Sequence, residues 1–438
     1  MDLIRLSETV QQSAQHMSDF LAQRHWSLSF DPASSGIPSL SAENESFHRA
    51  RDILLEAAST LLQLCMSSEE TILDLSFQLY HPERRQGDLR LPIQALTASA
   101  LRIAYNFNLA QAVPLSGHTT YTALAENTGF DTDTLSRTIR HLVSNAFFRE
   151  LAPDRIVHSR LSYLMATDEK FRGFVGLYFE HAFVWSVHIT DALAKWGSSE
   201  EPTETGLNAA EGTRATFWEF MEQNERVRKN FLDGFAYLAP ADLGIRRLPL
   251  NGSDWAAVAP ATVIDIGGHT GGISIGLAQR FPDLDFVIQD LEHICRRGEK
   301  TLPATLGRRV RFQAHDMFEQ QPGDPSKTII FLLCKVLHDW SDKYACRILQ
   351  AITPAMKPGD RIIIFDKVAP EAGTTSVFKG KFLRAADMQM WATFNGRERT
   401  ASDFKALITM ADRRLRICGI SSPMEMGMSR LVLSLDEE

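Results

Sequence analysis

Few cysteines, no surplus of positive charge and no long apolar run mark this sequence, and each lack removes a class of protein. Its five cysteines, Cys65, Cys295, Cys334, Cys346 and Cys418, are odd in number and widely spaced, with no C-x-x-C pair and no histidine beside them at metal-ligand spacing. That usage argues against a disulfide scaffold and a bound structural metal, and it fits a reducing compartment. Lys and Arg total 46 against 54 Asp and Glu, a net charge of −8, so nothing electrostatic favours a polyanion and no nucleic-acid partner is expected. No stretch approaches the roughly 20 apolar residues that cross a bilayer. The opening MDLIRLSETVQQSAQHMSDF mixes acids and amides with apolar residues at helical spacing, without the basic start and apolar core of a secretory signal. Only 26 Gly and 18 Pro occur in 438 residues, too few for a fibrous or low-complexity chain. At roughly 100–200 residues per domain, the length allows two or three units, and a cytoplasmic small-molecule enzyme is the expected class.

Residues 1–90 read as amphipathic helices interrupted by the turn-rich SFDPASSGIPSLSAEN. Between residues 91 and 250 the helical LPIQALTASALRIAYNFNLAQAV leads into two short helices, a turn at Gly129 and a returning strand in RIVHSRLS, the order of a winged helix. Its second helix, DTDTLSRTIRHLV, has two arginines and is preceded by acids, so packing or dimerisation is the expected role rather than DNA binding. Two aromatic runs follow, with Phe171, Phe174, Tyr178, Phe179, Phe183 and Trp185 in the first and Phe217, Trp218 and Phe220 in the second. Helical spacing makes these core residues before ligand walls. The polar WGSSEEPTETGLNAAEGT between them reads as a surface loop.

The texture changes over residues 251–438, where ATVIDIGG, DFVIQDL, RVRFQAHDMF, TIIFLLCKVL and DRIIIFDKVA alternate with helical segments. Short apolar runs separated by helices predict a doubly wound α/β domain with a parallel sheet buried on both faces, and in such sheets ligands bind beyond the carboxyl ends of the strands. One strand end is rich in glycine: VIDIGGHTGGISIGLAQRF carries Gly267, Gly268, Gly271 and Gly272, and the next strand ends on Asp290. Glycines there let the backbone approach a ligand, and an acid at the second strand end suits a ribose diol. The dinucleotide pattern G-x-G-x-x-G fails because His269 occupies its second glycine, and Asp265 before the turn would repel a pyrophosphate but accept a cation.

D-x-G-x-x-x-G followed by a strand-end acid resembles the S-adenosylmethionine (SAM) site of class I methyltransferases, in which a Rossmann-like α/β domain binds that cofactor. The resemblance implies cofactor-binding residues Asp265, Gly267 and Gly268 for the amino acid part, Asp290 with Leu291 for the ribose, and Asp316 with Met317 and Phe318 near the adenine. That family usually has a small residue where His269 stands. Downstream, His338-Asp339-Trp340 and the later FNGRERT extend the resemblance over nearly the whole chain to the plant and fungal small-molecule O-methyltransferases, which have an N-terminal helical, winged-helix dimerisation region.

In that family the histidine of the HDW motif is the general base, here His338. The chemistry fits: a phenolate or enolate attacks a sulfonium methyl far better than a neutral hydroxyl does, and imidazole can take the proton. The resemblance nominates Asp366 and Glu398 as partners of the imidazolium; the family often has Glu at the first of these positions. Adjacent Asp339 is expected to point elsewhere and cap the helix DKYACRILQAI. Lys335 is open to two readings, a solvated surface charge or a pocket residue that polarises a substrate carbonyl. The second would suit the O-methyltransferase-like pericyclases, an offshoot that keeps SAM bound while catalysing dehydration, Alder-ene or hetero-Diels–Alder reactions. His158 is either a second polar contact for such chemistry or a satisfied structural histidine. The resemblance thus implies a homodimer acting on a hydrophobic small molecule.

Overall fold

The computed structural model describes residues 3–26, 42–77, 90–241, 255, 258–324, 326–375, 377–421 and 428–436, and the chain divides into two compact units, Met1–Leu164 and Met165–Glu438. Most of SFDPASSGIPSLSAEN, up to residue 41, lies outside the described residues.

In the first unit the helices Leu3–Ala22 and Glu45–Cys65 pack together through Phe20, Leu21 and Phe47. Further on, helix Tyr121–Thr128 begins where the Thr120 hydroxyl accepts the Ala123 N–H at 3.1 Å, and it stops at Gly129, whose φ of 77° is left-handed. Asp131 then starts helix Thr132–Ser144 by accepting from the Thr134 N–H at 2.9 Å. An antiparallel hairpin of β1 (Phe148–Glu150) and β2 (Ile156–His158) follows, tied to the first of these helices by the Tyr121 hydroxyl, which donates to Glu150 at 3.0 Å. Helix, turn, helix and returning strand thus fall where the sequence places them.

The second unit opens with helices between residues 169 and 241, including one π-helical turn at Leu177–Ala182. The aromatic runs build its core: Phe171, Phe174, Phe179, Trp185 and Phe217 are all buried. One expectation is overturned here. The polar segment between the runs is not simply a surface loop, because Thr205 and Asn208 form a capping box that starts helix Gly206–Glu211 and Leu207 is fully buried.

Among the described residues a seven-stranded sheet completes this unit: β3 (Ala261–Ile266), β4 (Leu284–Asp290), β5 (Val310–Ala314), β6 (Thr328–Cys334), β7 (Arg361–Asp366), β8 (Leu415–Ser421) and β9 (Ser429–Leu435). Their order is β5-β4-β3-β6-β7-β9-β8. Strands β3 to β7 pair in parallel, whereas β9 runs antiparallel to both β7 and β8. The sheet is therefore mixed, a correction to the all-parallel expectation. Strands β3, β4, β6 and β7 bury near-continuous apolar runs, but β9 alternates buried and half-buried residues, the signature of a half-covered antiparallel strand that a search for apolar runs passes over.

Candidate active site

Because the parallel strands share one direction, their carboxyl ends gather the candidate residues along one edge of the sheet. Asp265 is the last residue but one of β3 and the Gly-rich turn follows that strand, Asp290 ends β4, Asp316 follows β5, Lys335 and His338 follow β6, and Asp366 ends β7. The order reverses at β3, which has β4 on one side and β6 on the other. This is the switch point at which open α/β sheets bind ligands.

Three adjacent strand ends make a cradle. Asp265 is buried and accepts the Ser274 hydroxyl at 2.6 Å, tying the turn to helix Gly272–Arg280. Burial pushes its carboxyl up to about 7, with Ser274 opposing and Asp290 adding to the rise. A Cβ on Gly268 would lie 2.7 Å from the Asp265 carboxylate, and one on Gly267, at φ 69°, would lie 3.2 Å from Val336 and 3.6 Å from Met317. Asp290 holds the same turn from the next strand, since its carboxylate accepts the backbone N–H groups of His269 and Leu291, both at 2.8 Å. Exposed Asp316 accepts from the Phe318 N–H at 2.9 Å. Neighbouring strands lie about 4.8 Å apart, so a ligand crossing from β3 to β5 meets a glycine turn, an acid with spare lone pairs and a second exposed acid in that order. Amino acid, ribose and adenine of SAM fit this sequence of groups.

Beyond β6 the chain turns sharply. Strand β6 ends at Cys334 rather than running on through KVL, and Lys335 adopts a left-handed φ of 55° while its N–H still bonds Phe365 at 2.8 Å. A single 3-10 turn, Leu337–Asp339, then presents His338. Its Nδ1 lies 3.3 Å from Glu398 Oε1 and its Nε2 3.5 Å from Asp339 Oδ1. Buried Asp366 completes a group of three carboxylates around one imidazole, and neither of its oxygens has a hydrogen-bond partner among the described residues. Burial works against the imidazolium, but Asp339, Asp366 and Glu398 outweigh it and push His338 up to about 9. Burial raises Asp366 to about 7 and Asp339 to about 6, each held back by the His338 charge. Burial opposes the Glu398 carboxylate too, yet its bond to His338 and that charge keep it below the ordinary range. Such a set can hold one proton on the ring and pass it among its members.

FNGRERT closes on this turn. A Cβ on Gly396 would sit 2.2 Å from the His338 carbonyl oxygen, so only glycine permits the approach, and the Arg397 N–H donates to that oxygen at 3.0 Å.

Several expected placements change. Asp339 does not cap helix Asp342–Ile352; Ser341 holds the N-cap position, and the 3-10 turn directs the Asp339 side chain to His338 instead. Residues adjacent in a helix do not face each other, which is why sequence turned Asp339 away. Lys335 is half-buried, its ammonium 5.7 Å from the centre of the Phe235 ring and attracting the Asp339 and Glu398 carboxylates. His158 is satisfied inside the first unit, with Nδ1 3.0 Å from Ser162 Oγ and Nε2 3.1 Å from the Val113 carbonyl. Phe318 packs edge-on to Trp340 and Tyr344, while the Leu291 side chain is exposed.

Among the described residues no group of His, Cys, Asp and Glu is arranged to hold a metal ion, and no helix is long and apolar enough to cross a membrane. A family model described as an O-methyltransferase domain matches residues 191–413. The O-methyltransferase VdtC of Byssochlamys spectabilis is 34% identical over 404 residues, covering 90% of this chain and 92% of that protein. Two solved structures share the fold: LepI in complex with SAM, at TM-score 0.61 and 18% identity over 98% of this chain and 100% of that one, and a structure described as a pericyclic reaction enzyme, at TM-score 0.60 and 20% identity over 88% and 94%. The chain belongs to the S-adenosylmethionine-dependent O-methyltransferase family.

Proposed function

We propose that this protein is an O-methyltransferase of fungal secondary metabolism that methylates a phenolic or enolic hydroxyl of a hydrophobic small molecule, with His338 as general base. One observation carries the reading: an imidazole beyond a central strand end, 17% exposed, fixed through Nδ1 by the buried carboxylate of Glu398. Glu398 sets the tautomer and orientation and stabilises the imidazolium, as the acid does in a catalytic triad. The Nε2 atom is then the one that accepts the substrate proton, leaving an oxyanion in place. Asp265, Gly267 and Gly268, Asp290 with Leu291, and Asp316 with Met317 and Phe318 would hold SAM, which supplies an electrophilic methyl group on a sulfonium. We further assign residues 1–90 to N-terminal helices, 91–250 to a winged-helix dimerisation and substrate-capping region, and 251–438 to the catalytic domain of a cytoplasmic homodimer.

Lys335 supports a second reading. A half-buried ammonium beside the base could polarise a carbonyl in a substrate that undergoes pericyclic closure, with the cofactor left intact; His158 has less claim, because both of its ring nitrogens are engaged. Mass spectrometry of enzyme, SAM and an extract of the producing pathway separates the two. Methyl transfer predicts S-adenosylhomocysteine and a product in which one methyl group replaces the hydroxyl proton, a net gain of CH2, whereas intact SAM beside an isomerised or dehydrated product would establish the second reading.

A further inference from the structure

We propose that Arg399 is a positioning residue for the base, fixing the turn that carries His338. This rests on the reading of His338 as the base. The Arg399 side chain is 0% exposed. Its Nη1 donates to the Leu337 carbonyl at 2.7 Å and its Nη2 to the Trp340 carbonyl at 2.8 Å, while Nε donates to Asp342 Oδ1 at 2.8 Å. The two carbonyls bracket His338 and Asp339, so the guanidinium holds both ends of the one turn that presents the imidazole.

Geometry explains why arginine serves here. Three acceptors arranged about one plane suit its rigid fork, whereas a lysine ammonium can reach one or two of them. A neutral donor could pin the same carbonyls at a smaller desolvation penalty than a buried cation. The cation also favours the ionised form of Asp366, which is wholly buried with no hydrogen-bond partner among the described residues. Ionised Asp366 in turn supports the His338 imidazolium.

The test compares Arg399→Met with Arg399→Lys in the full-length enzyme, using methyl-transfer rates from pH 6 to 10 and S-adenosylhomocysteine binding to count folded sites. Arg399→Met should lower kcat per folded site by about 10- to 100-fold through misplacement of the base, with KM and cofactor affinity within about twofold of wild type. Arg399→Lys, which keeps the charge but loses the fork, should lower kcat in the same way. A rate loss in Arg399→Met matched by its unfolded fraction, or one carried by KM rather than kcat across that pH range, would reduce Arg399 to a structural role. Should Arg399→Met not fold, full activity in Arg399→Lys overturns the proposal and a loss of about 10-fold or more per folded site supports it. Retained turnover in His338→Ala would instead sink the reading beneath it.

Discussion

Asp339 Oδ1 lies 3.5 Å from His338 Nε2, while Glu398 holds Nδ1 at 3.3 Å. Both ring nitrogens thus face carboxylates, and a substrate hydroxyl must share or displace the Asp339 contact to reach Nε2. With His338 pushed up to about 9, the free enzyme holds the imidazolium at neutral pH and only the deprotonated minority can act as a base. The acid limb of kcat/KM should accordingly extend well above pH 7. Asp339→Asn removes a charge that favours the imidazolium, so the limb should move down, by roughly one unit or more. An unmoved limb would show that Asp339 does not govern the base.

Cofactor affinity should itself depend on pH. Buried Asp265 is raised to about 7, and a bound ammonium or sulfonium favours its ionised form. Binding therefore releases the Asp265 proton below pH 7, and affinity for SAM should tighten between pH 6 and pH 8. Calorimetry in buffers of different ionisation enthalpy measures this proton release directly. Asp265→Asn should bind more weakly at pH 8 and lose most of the pH dependence; an identical dependence in the variant would assign the proton elsewhere.

Asp366 links the site to stability. Its carboxyl titrates higher in the folded chain than in the unfolded one, because burial without a hydrogen bond disfavours the charge. The folded state therefore binds more protons at this group, and its contribution to stability falls as pH rises from the unfolded value near 4 towards 7. Asp366→Asn removes that loss. The difference in Tm between variant and wild type should become more favourable to the variant from pH 5 to pH 8, and a constant difference would contradict the assignment.

The sequence exposed the cradle more fully than the catalytic set. Asp265 and Asp290 were legible because each lies at the end of an apolar run, and parallel pairing of β3 and β4 brings those strand ends together, whereas Asp316 was suggested only by the resemblance. Around His338 the contacts are distant in sequence: Glu398 lies 60 residues away, and only the resemblance suggested it. Asp339 was misread because the left-handed Lys335 and the 3-10 turn after it are conformations that periodicity does not encode. Strand β9 was missed because half-buried alternation is a weak signal beside IIIF or IIFLL, and β8 because it is largely exposed.

Two glycines that look alike in the GGHTGG motif should behave differently. A Cβ on Gly268 would lie 2.7 Å from the Asp265 carboxylate and 2.9 Å from Ile288, so alanine there must push apart β3, β4 and the turn they support. A Cβ on Gly272 meets nothing within 4 Å, and this residue is the first of helix Gly272–Arg280, where alanine is the better helix former. Gly268→Ala is expected to weaken S-adenosylhomocysteine binding by about tenfold or more, equivalent to roughly 1.4 kcal/mol, whereas Gly272→Ala should bind within about twofold of wild type and melt no lower. Titration calorimetry and thermal melts on the two variants measure both effects. An equal loss in the two would mean that the cofactor loop needs glycine for its approach to the ligand rather than for the packing of Asp265 beneath it.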